Sequence, residues 1–325
     1  MTLRFLAAAA LAGLGLVACT PKEAADTPDA TEQASAPSGP NAAETPSDTA
    51  ATAPIEAGGP ALWLTGDADT KIYLLGTVHV LPPDLEWRTD KIDRALGEAK
   101  AVYFETDVEP NEAEMLPVLT RLGIYPPGQT LSSRLTEEQR TTLATATKDL
   151  GIPLAGLDVM RPWLAAVSIS DRVIVNAGYS SESGVERKLM PDARAAGKEI
   201  RKFETIEEQL RIFADLPEEV QIKYLMSCVE DIGSEQEISD LVAAWASGDT
   251  DLLEELMIVE DMGETPEIYD AMLVKRNANW TREIQKLTTS ETGTLFVAVG
   301  AAHLVGKDSV VAMLTDKGVS VSRVE

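Results

Sequence analysis

The sequence predicts an α/β (α+β) fold, with a central, mostly parallel sheet drawn from the N- and C-terminal thirds and a large helical region between them. Short apolar runs alternate with helical patterns near the start of the folded region, and the same alternation returns at the end of the chain. The long middle part carries helical patterns almost throughout. Because a strand, a helix and a second strand in succession form a right-handed crossover, we expect the strands at both ends to be parallel.

Residues 1–19 are expected to be a lipoprotein signal peptide rather than part of the fold. Arg4 precedes an apolar stretch over 5–17, which is too short to span a bilayer and is typical of an export signal. The tetrad at 16–19 resembles the lipobox of bacterial lipoproteins and makes Cys19 the lipidation site; an ordinary signal peptide with an incidental cysteine is the alternative. Thr20 follows instead of Asp, which favours the outer membrane. We therefore expect a lipid-anchored protein on the periplasmic side of the cell envelope.

Composition separates a linker from a folded domain and excludes one class of partner. Residues 20–60 are mostly Ala, Thr, Pro, Asp, Glu and Ser, and they cannot bury enough apolar surface to offset the entropy of ordering, so a disordered linker is expected. Residues 61–325 are long enough for a domain with a substantial core. With 53 acidic against 28 basic residues and no basic cluster, the surface should repel nucleic acid. Membrane contact is expected only through the anchor.

The domain is predicted to begin with a hairpin and a strand, helix and strand unit. Apolar runs at 62–65 and 72–75 flank a turn-forming cluster, which indicates the hairpin. Thr89 is expected to cap a helix that runs to about residue 100, and 101–104 is typical of a buried strand. The strands 72–75 and 101–104 should be parallel and are candidates for direct neighbours, which would place residues at their carboxyl ends near one ligand.

The middle and the end of the domain follow from capping and periodicity. A capping box at 136–139 opens a helix that Gly151 ends. A strand over 198–203 carries Glu204 at its end, and the chain closes on a strand over 294–299, a loop with His303, a helix over 307–317 and a strand near 319–324. Further helices are predicted over 161–177, 184–196, 205–215, 217–230, 235–247, 249–258 and 266–288.

Both histidines of the chain, His79 and His303, stand in the same small motif: an apolar strand, then Gly-x-x-His, then an aliphatic residue. Imidazole is the side chain best suited to bind a transition metal or to move a proton near neutral pH. Gly76 and Gly300 are expected to permit tight turns with positive φ that bring the backbone close to a ligand. Glu105 ends the strand 101–104, so His79 and Glu105 could share a site. The alternatives are core histidines that bond to backbone carbonyls and a Glu105 that caps a helix near residue 112.

Five segments together resemble the TraB/GumN family, which includes the Tiki metalloproteases and is distantly similar to erythromycin esterase and ChaN-like proteins. They are the motif at 73–83, Glu105 at its strand end, 203–205 with Gln209, Arg276 and Asn277 with Trp280, and 300–304. Their order and spacing are more specific than any one of them, and the similarity extends from about residue 61 to nearly the end of the chain.

The resemblance implies a hydrolytic centre with a divalent metal. On this chain the implied metal ligands are His79, His303 and Glu105, with Glu105 also in the catalytic set. Two neutral imidazoles and a carboxylate can hold such an ion while leaving a position for water, whose pKa the ion lowers to roughly 7. The ligand set does not choose between Mn, Co and Zn.

Four other residues are candidates for catalysis or substrate binding. Glu204 could be a further ligand or the general base, or it could cap the helix that follows. Arg88 matches an arginine of erythromycin esterase-like relatives, and this resemblance implies that it could polarise a carbonyl or stabilise an oxyanion. Arg276 and Asn277 are predicted to contact substrate, and a buried hydrogen-bonded clamp is the alternative.

The sequence thus predicts an exported, lipid-anchored, metal-dependent hydrolase that acts on amide or peptide bonds of a peptide or small-molecule substrate. Two alternatives belong to other classes of function. One is a metal- or haem-binding lipoprotein without catalysis, and the other is an envelope interaction protein that has lost turnover.

Overall fold

The structure is a computed structural model that describes residues 58–233, 235–259 and 265–325. The expected signal peptide, Cys19 and the expected linker up to residue 57 lie outside these residues, so predictions about them stay predictions. Within the described part, no helix combines the length and the apolar composition that crossing a bilayer requires.

One six-stranded sheet forms the centre of the described fold, in the order β4-β3-β5-β2-β1-β6. The inner strands are largely buried, whereas the edge strands β4 and β6 are partly exposed. The six strands are β1 Leu62–Gly66, β2 Thr70–Thr77, β3 Ala101–Phe104, β4 Glu199–Lys202, β5 Gly293–Gly300 and β6 Val321–Arg323. The strands β2, β5, β3 and β4 pair in parallel, whereas β1 is antiparallel to both of its neighbours, β2 and β6. This is the mostly parallel sheet from both ends of the chain that the sequence predicts.

The strand β5 lies between β2 and β3, so these two strands are parallel but are not direct neighbours. The sequence indicated that β2 and β3 could be direct neighbours, because a single helix connects them. The reason for the difference is hydrophobicity: Leu295 to Val299 of β5 are all buried, and such a run is stable only with a strand on each side and helices on both faces. The C-terminal third of the chain therefore supplies the strand at the centre of the sheet.

Thirteen α-helices, counted within the described residues, cover the sheet and form most of the middle region. In chain order, α1 to α13 are Asp90–Glu98, Glu112–Gly123, Glu137–Asp149, Leu154–Asp158, Pro162–Asn176, Val185–Ala195, Ile206–Ala214, Glu218–Glu230, Glu235–Ser247, Thr250–Glu254, Pro266–Tyr269, Lys275–Ser290 and Val310–Asp316. The capping box predicted at 136–139 is present.

Two predicted helices are interrupted by wider turns. The helix predicted over 249–258 is α10 followed by a π-helical turn, Glu255–Val259, and the helix predicted over 266–288 is divided by a second one, Asp270–Val274. The short helix α4 has no counterpart in the sequence-based prediction. Since π-helical turns occur frequently at functional sites, the second one is of interest here: it precedes α12, which carries Arg276 and Asn277.

Candidate functional site

The candidate site lies just beyond the carboxyl ends of β2, β5 and β3, where His79, His303 and Glu105 follow their strands. The Nε2 atom of His303 is 3.7 Å from Oε1 of Glu105. A Cβ atom placed on Gly300 would lie 3.1 Å from that same oxygen, 3.5 Å from Cδ2 of His303 and 3.7 Å from Nε2 of His79. The convergence of two histidines and Glu105, predicted from their positions after strands, is therefore present in the structure.

Glu105 is a buried carboxylate with three hydrogen-bond donors. Its Oε1 accepts the backbone N–H of Gly300 at 2.6 Å, and its Oε2 accepts from Nη2 of Arg276 at 2.5 Å and from Nε2 of Gln209 at 3.2 Å. Burial alone would raise the pKa of Glu105, but Arg276, the two neighbouring histidines and the backbone N–H of Gly300 together hold that pKa well below its usual range. Glu105 is therefore ionised, and it does not cap α2, since Asn111 performs that role.

Arg276 is buried at the centre of the cluster, and each of its five N–H groups has a partner. Nε donates to Glu204, Nη1 donates to the carbonyl of Met272 at 3.2 Å and to Nε2 of His303 at 2.9 Å, and Nη2 donates to Glu105 and to Glu204 at 2.9 Å. Two carboxylates raise the pKa of Arg276 although burial opposes this. A planar guanidinium is the side chain that can serve so many acceptors at once.

His303 is held by two consecutive residues of α12. Because Arg276 can only donate, Nε2 of His303 must accept, and Nδ1 must carry the proton that it donates to Oδ1 of Asn277 at 2.5 Å. The amide nitrogen of Asn277 in turn donates to the carbonyl of Asp308. The imidazole packs on Trp280, with ring centroids 4.4 Å apart. Burial and the charge of Arg276 lower the pKa of His303 to about 3, so this ring is neutral.

His79 has different surroundings. Its Nδ1 lies 2.8 Å from Oε1 of Glu186, and the same oxygen accepts the hydroxyl of Thr77. Burial opposes a charge on His79, but the carboxylate of Glu186 outweighs it and raises the pKa to about 9. The side chain of His79 keeps 16% of its surface exposed, against 5% for His303. His79 is thus a charged imidazole that solvent can reach, whereas His303 is neutral and enclosed.

The glycines of the two motifs are needed for space and not for an unusual backbone angle. Neither Gly76 nor Gly300 has a positive φ, and φ of Gly300 is -50°. A Cβ on Gly76 would lie 3.1 Å from Cα of Ala301, and one on Gly300 would meet the carboxylate of Glu105. The expectation of positive φ is wrong: Gly76 is crowded by Ala301 of the opposite motif, and Gly300 is crowded by Glu105.

The structure brings together most of the predicted site residues, but Arg88 has partners elsewhere. Its guanidinium contacts Asp93 and Asp192, two exposed aspartates that do not belong to the cluster. Glu204 does not cap α7, because Thr205 and Glu208 form that capping box; its carboxylate pairs with Arg276 instead.

The contacts of Arg276 and Asn277 favour the clamp over direct contact with substrate. Asn277 is 1% exposed and uses its amide within the protein.

Sequence reasoning did not single out Glu186 and Thr77. In the sequence, Glu186 is an ordinary acidic residue in the first turn of a predicted helix. Only the packing of α6 against the loop that carries His79 shows that the two residues are partners.

The residues as arranged do not fit a transition metal held by both imidazoles. The lone pair of Nε2 on His303 accepts from Arg276, and Nδ1 carries a proton, so no ring nitrogen of His303 can coordinate while Arg276 stays in place. The guanidinium also neutralises the carboxylates of Glu105 and Glu204. Within the described residues, no group of three or more His, Cys, Asp or Glu side chains has the arrangement of a metal site. The predicted binding of Mn, Co or Zn stays a prediction, and it requires Arg276 to release His303.

These elements define an α/β protein with a buried, charged centre at the carboxyl edge of its parallel strands. The model of the TraB/PrgY/gumN family matches residues 61–323, and the chain belongs to that family. The sequence is 22% identical over 255 residues to "Uncharacterized protein YbaP" of Escherichia coli (strain K12), which covers 78% of this chain and 92% of the relative. A protein of the same description from Shigella flexneri matches to the same extent. No solved structure matches the chain significantly.

Proposed function

We propose that this protein is an exported, lipid-anchored hydrolase that cleaves amide bonds of a peptide or small molecule at the cluster of His79, Glu105 and His303. The observation that carries the proposal is the convergence at Gly300, whose missing side chain would touch the carboxylate of Glu105 and approach both imidazoles. Groups that can donate and accept protons thus lie close together around the backbone of Gly300. Family membership is compatible with this activity but does not specify it.

Hydrolysis of an amide adds water to the carbonyl carbon, breaks the C–N bond and moves a proton to the leaving nitrogen. The charged ring of His79 donates its Nδ1–H to Glu186 in a hydrogen bond. Its Nε2 proton is therefore the one that can be transferred to the leaving nitrogen. Ionised Glu105 accepts a proton from the attacking water as the C–O bond forms, and this proton then returns to His79. A carboxylate with a lowered pKa is a weak base, so turnover should be slow.

The other residues of the cluster keep this pair in place. Arg276 fixes Glu105 from one side while the N–H of Gly300 fixes it from the other, and both Arg276 and His303 pack against the ring of Trp280. Gln209 lies beside Glu105 and is 4% exposed, and its Oε1 has no hydrogen-bond partner among the described residues. A buried acceptor of this kind can accept a hydrogen bond from the N–H of a substrate amide or from the O–H of a water molecule.

The experiment measures cleavage of a panel of internally quenched peptides by the purified full chain and by three variants. His79→Gln and Glu105→Gln are expected to lower kcat/KM by about 10²- to 10⁴-fold, the usual contribution of an acid or base. Glu109→Gln is the matched control, because Glu109 is an exposed carboxylate that pairs with Arg194. Unchanged turnover in folded His79→Gln and Glu105→Gln would refute the proposal. Binding of a metal or of haem without any cleavage would support the non-catalytic alternative.

A further inference from the structure

Glu186 stands at the start of α6 and faces the loop that follows β2. Its Oε1 accepts hydrogen bonds from Nδ1 of His79, at 2.8 Å, and from the hydroxyl of Thr77. The side chain is 12% exposed, so little water competes for these bonds. No predicted role from the sequence covers this residue.

The backbone fixes the distance between Glu186 and His79. The N–H of Val185 donates to the carbonyl of Val78 at 3.1 Å, which joins the first turn of α6 to the residue before His79. Gly184 packs against the same loop so closely that a Cβ there would lie 2.1 Å from the carbonyl oxygen of His79. Only glycine allows this approach. These two main-chain contacts hold the start of α6, and with it Glu186, against the loop of His79.

We propose that Glu186, assisted by Thr77, is the positioning residue of His79: it binds Nδ1 and thereby turns Nε2 toward Gly300 and Glu105. A histidine can present only one ring nitrogen to a ligand while the other bonds to a carboxylate, and such outer partners set both the ring orientation and the site of the proton. The proposal rests on the proposed function only for the role of Nε2 as a proton donor in amide hydrolysis. The orientation itself is a property of the folded protein.

The test is ¹⁵N NMR of the imidazoles in the full chain, which has two histidines, so that a His79→Gln variant assigns both. In the natural protein we expect a downfield Nδ1–H signal for His79, because that proton is held by a carboxylate. Glu186→Ala should abolish this signal and leave the signals of His303 unchanged. Glu186→Asp, which keeps a carboxylate, should restore part of it. Glu182→Gln is the matched control, since Glu182 is an exposed acid four positions earlier, and it should change nothing.

Kinetics provide a second readout. With an amide substrate, Glu186→Ala is expected to lower kcat by about 10- to 100-fold with little change in KM, the size of effect seen when outer partners of a functional histidine are removed. If Glu186→Ala does not fold, Glu186→Gln replaces it in the NMR test, and the Nδ1–H signal should then move upfield because a neutral amide has replaced the carboxylate. An unchanged Nδ1–H signal in a folded Glu186 variant overturns the proposal. A lost signal in a protein that cleaves nothing supports the positioning role and refutes the hydrolase.

Discussion

The carboxylate of Glu105 accepts a hydrogen bond from the backbone N–H of Gly300, 195 positions further along the chain. This contact joins the end of β3 to the end of β5 and places an ionised oxygen beside both Gly-x-x-His motifs. It also explains why residue 300 is glycine, since any side chain would contact the carboxylate.

Gly300→Ala tests this explanation. The φ of -50° suits alanine, so the cost should come from the contact 3.1 Å from Oε1 of Glu105. We expect a loss of about 1–3 kcal/mol in the free energy of unfolding, as for other overpacked sites, measured by urea denaturation. Gly97→Ala is the control: a Cβ there meets nothing within 4 Å, and alanine should be neutral or slightly stabilising in α1. Equal effects of the two changes would contradict the explanation.

Arg276→Met should destabilise the fold strongly. It leaves the carboxylates of Glu105 and Glu204 buried and unpaired, and breaking a buried ion pair in this way costs about 3–5 kcal/mol. Arg276→Lys should recover only part of this, because three donors on one ammonium cannot replace five on a planar group. The measurement is the free energy of unfolding in urea. Exposed Arg282→Lys should stay within about 0.5 kcal/mol of the natural protein, and a similarly small effect of Arg276→Lys would argue against the clamp.

His79 should make the stability of the protein depend on pH. Its folded-state pKa of about 9 lies above the usual 6.5, so the charged form is favoured by folding. This stabilisation is complete below about pH 6.5 and is lost as the pH rises through about 9, with an upper limit of about 3 kcal/mol. Urea midpoints between pH 6 and pH 10 should fall more steeply for the natural protein than for His79→Gln. If the urea midpoints of the two proteins changed with pH to the same extent, the charge of His79 would not contribute to stability.

The metal prediction can be decided by elemental analysis of the purified full chain. Because Arg276 occupies Nε2 of His303, we expect much less than one equivalent of Mn, Co or Zn per chain. The comparison is the His79→Ala/His303→Ala double variant, which should contain equally little. Close to one equivalent in the natural protein, lost in the double variant, would mean that Arg276 moves away and that the metal site predicted from the motifs forms.

Lipidation is predicted at Cys19. In a bacterial host supplied with radiolabelled palmitate, the full chain should incorporate label and fractionate with membranes, because acyl chains contribute about 0.8 kcal/mol per buried methylene. Cys19→Ser should lose both label and membrane association. Cys228→Ser serves as the second cysteine control and should keep both; label retained in Cys19→Ser would refute the anchor.

The sequence predicted the positions of the strands, the parallel direction of β2 and β3, and the meeting of the two histidines, because these depend on strong local signals. The apolar runs of β2 and β5 are continuous, and both end in the same motif. The position of β5 between β2 and β3 was not predictable from the crossover rule alone, since that rule fixes direction and handedness but not which strand is inserted between two others.

The roles within the cluster were harder to predict than its members. Nothing in the sequence distinguishes His79 from His303, yet a carboxylate beside one and a guanidinium beside the other shift their pKa values in opposite directions. Arg88 illustrates the reverse problem. Its place in the sequence, close after His79, suggested a role in the site by resemblance to erythromycin esterase-like proteins. In the structure its partners are Asp93 and Asp192, which lie outside the cluster.

The place of β5 has a consequence for biosynthesis. Because β5 pairs with both β2 and β3, neither of these strands has its inner neighbour until residues 293–300 have been synthesised. Long-range pairing of this kind slows folding. We therefore expect the parallel core of the sheet to form late in folding.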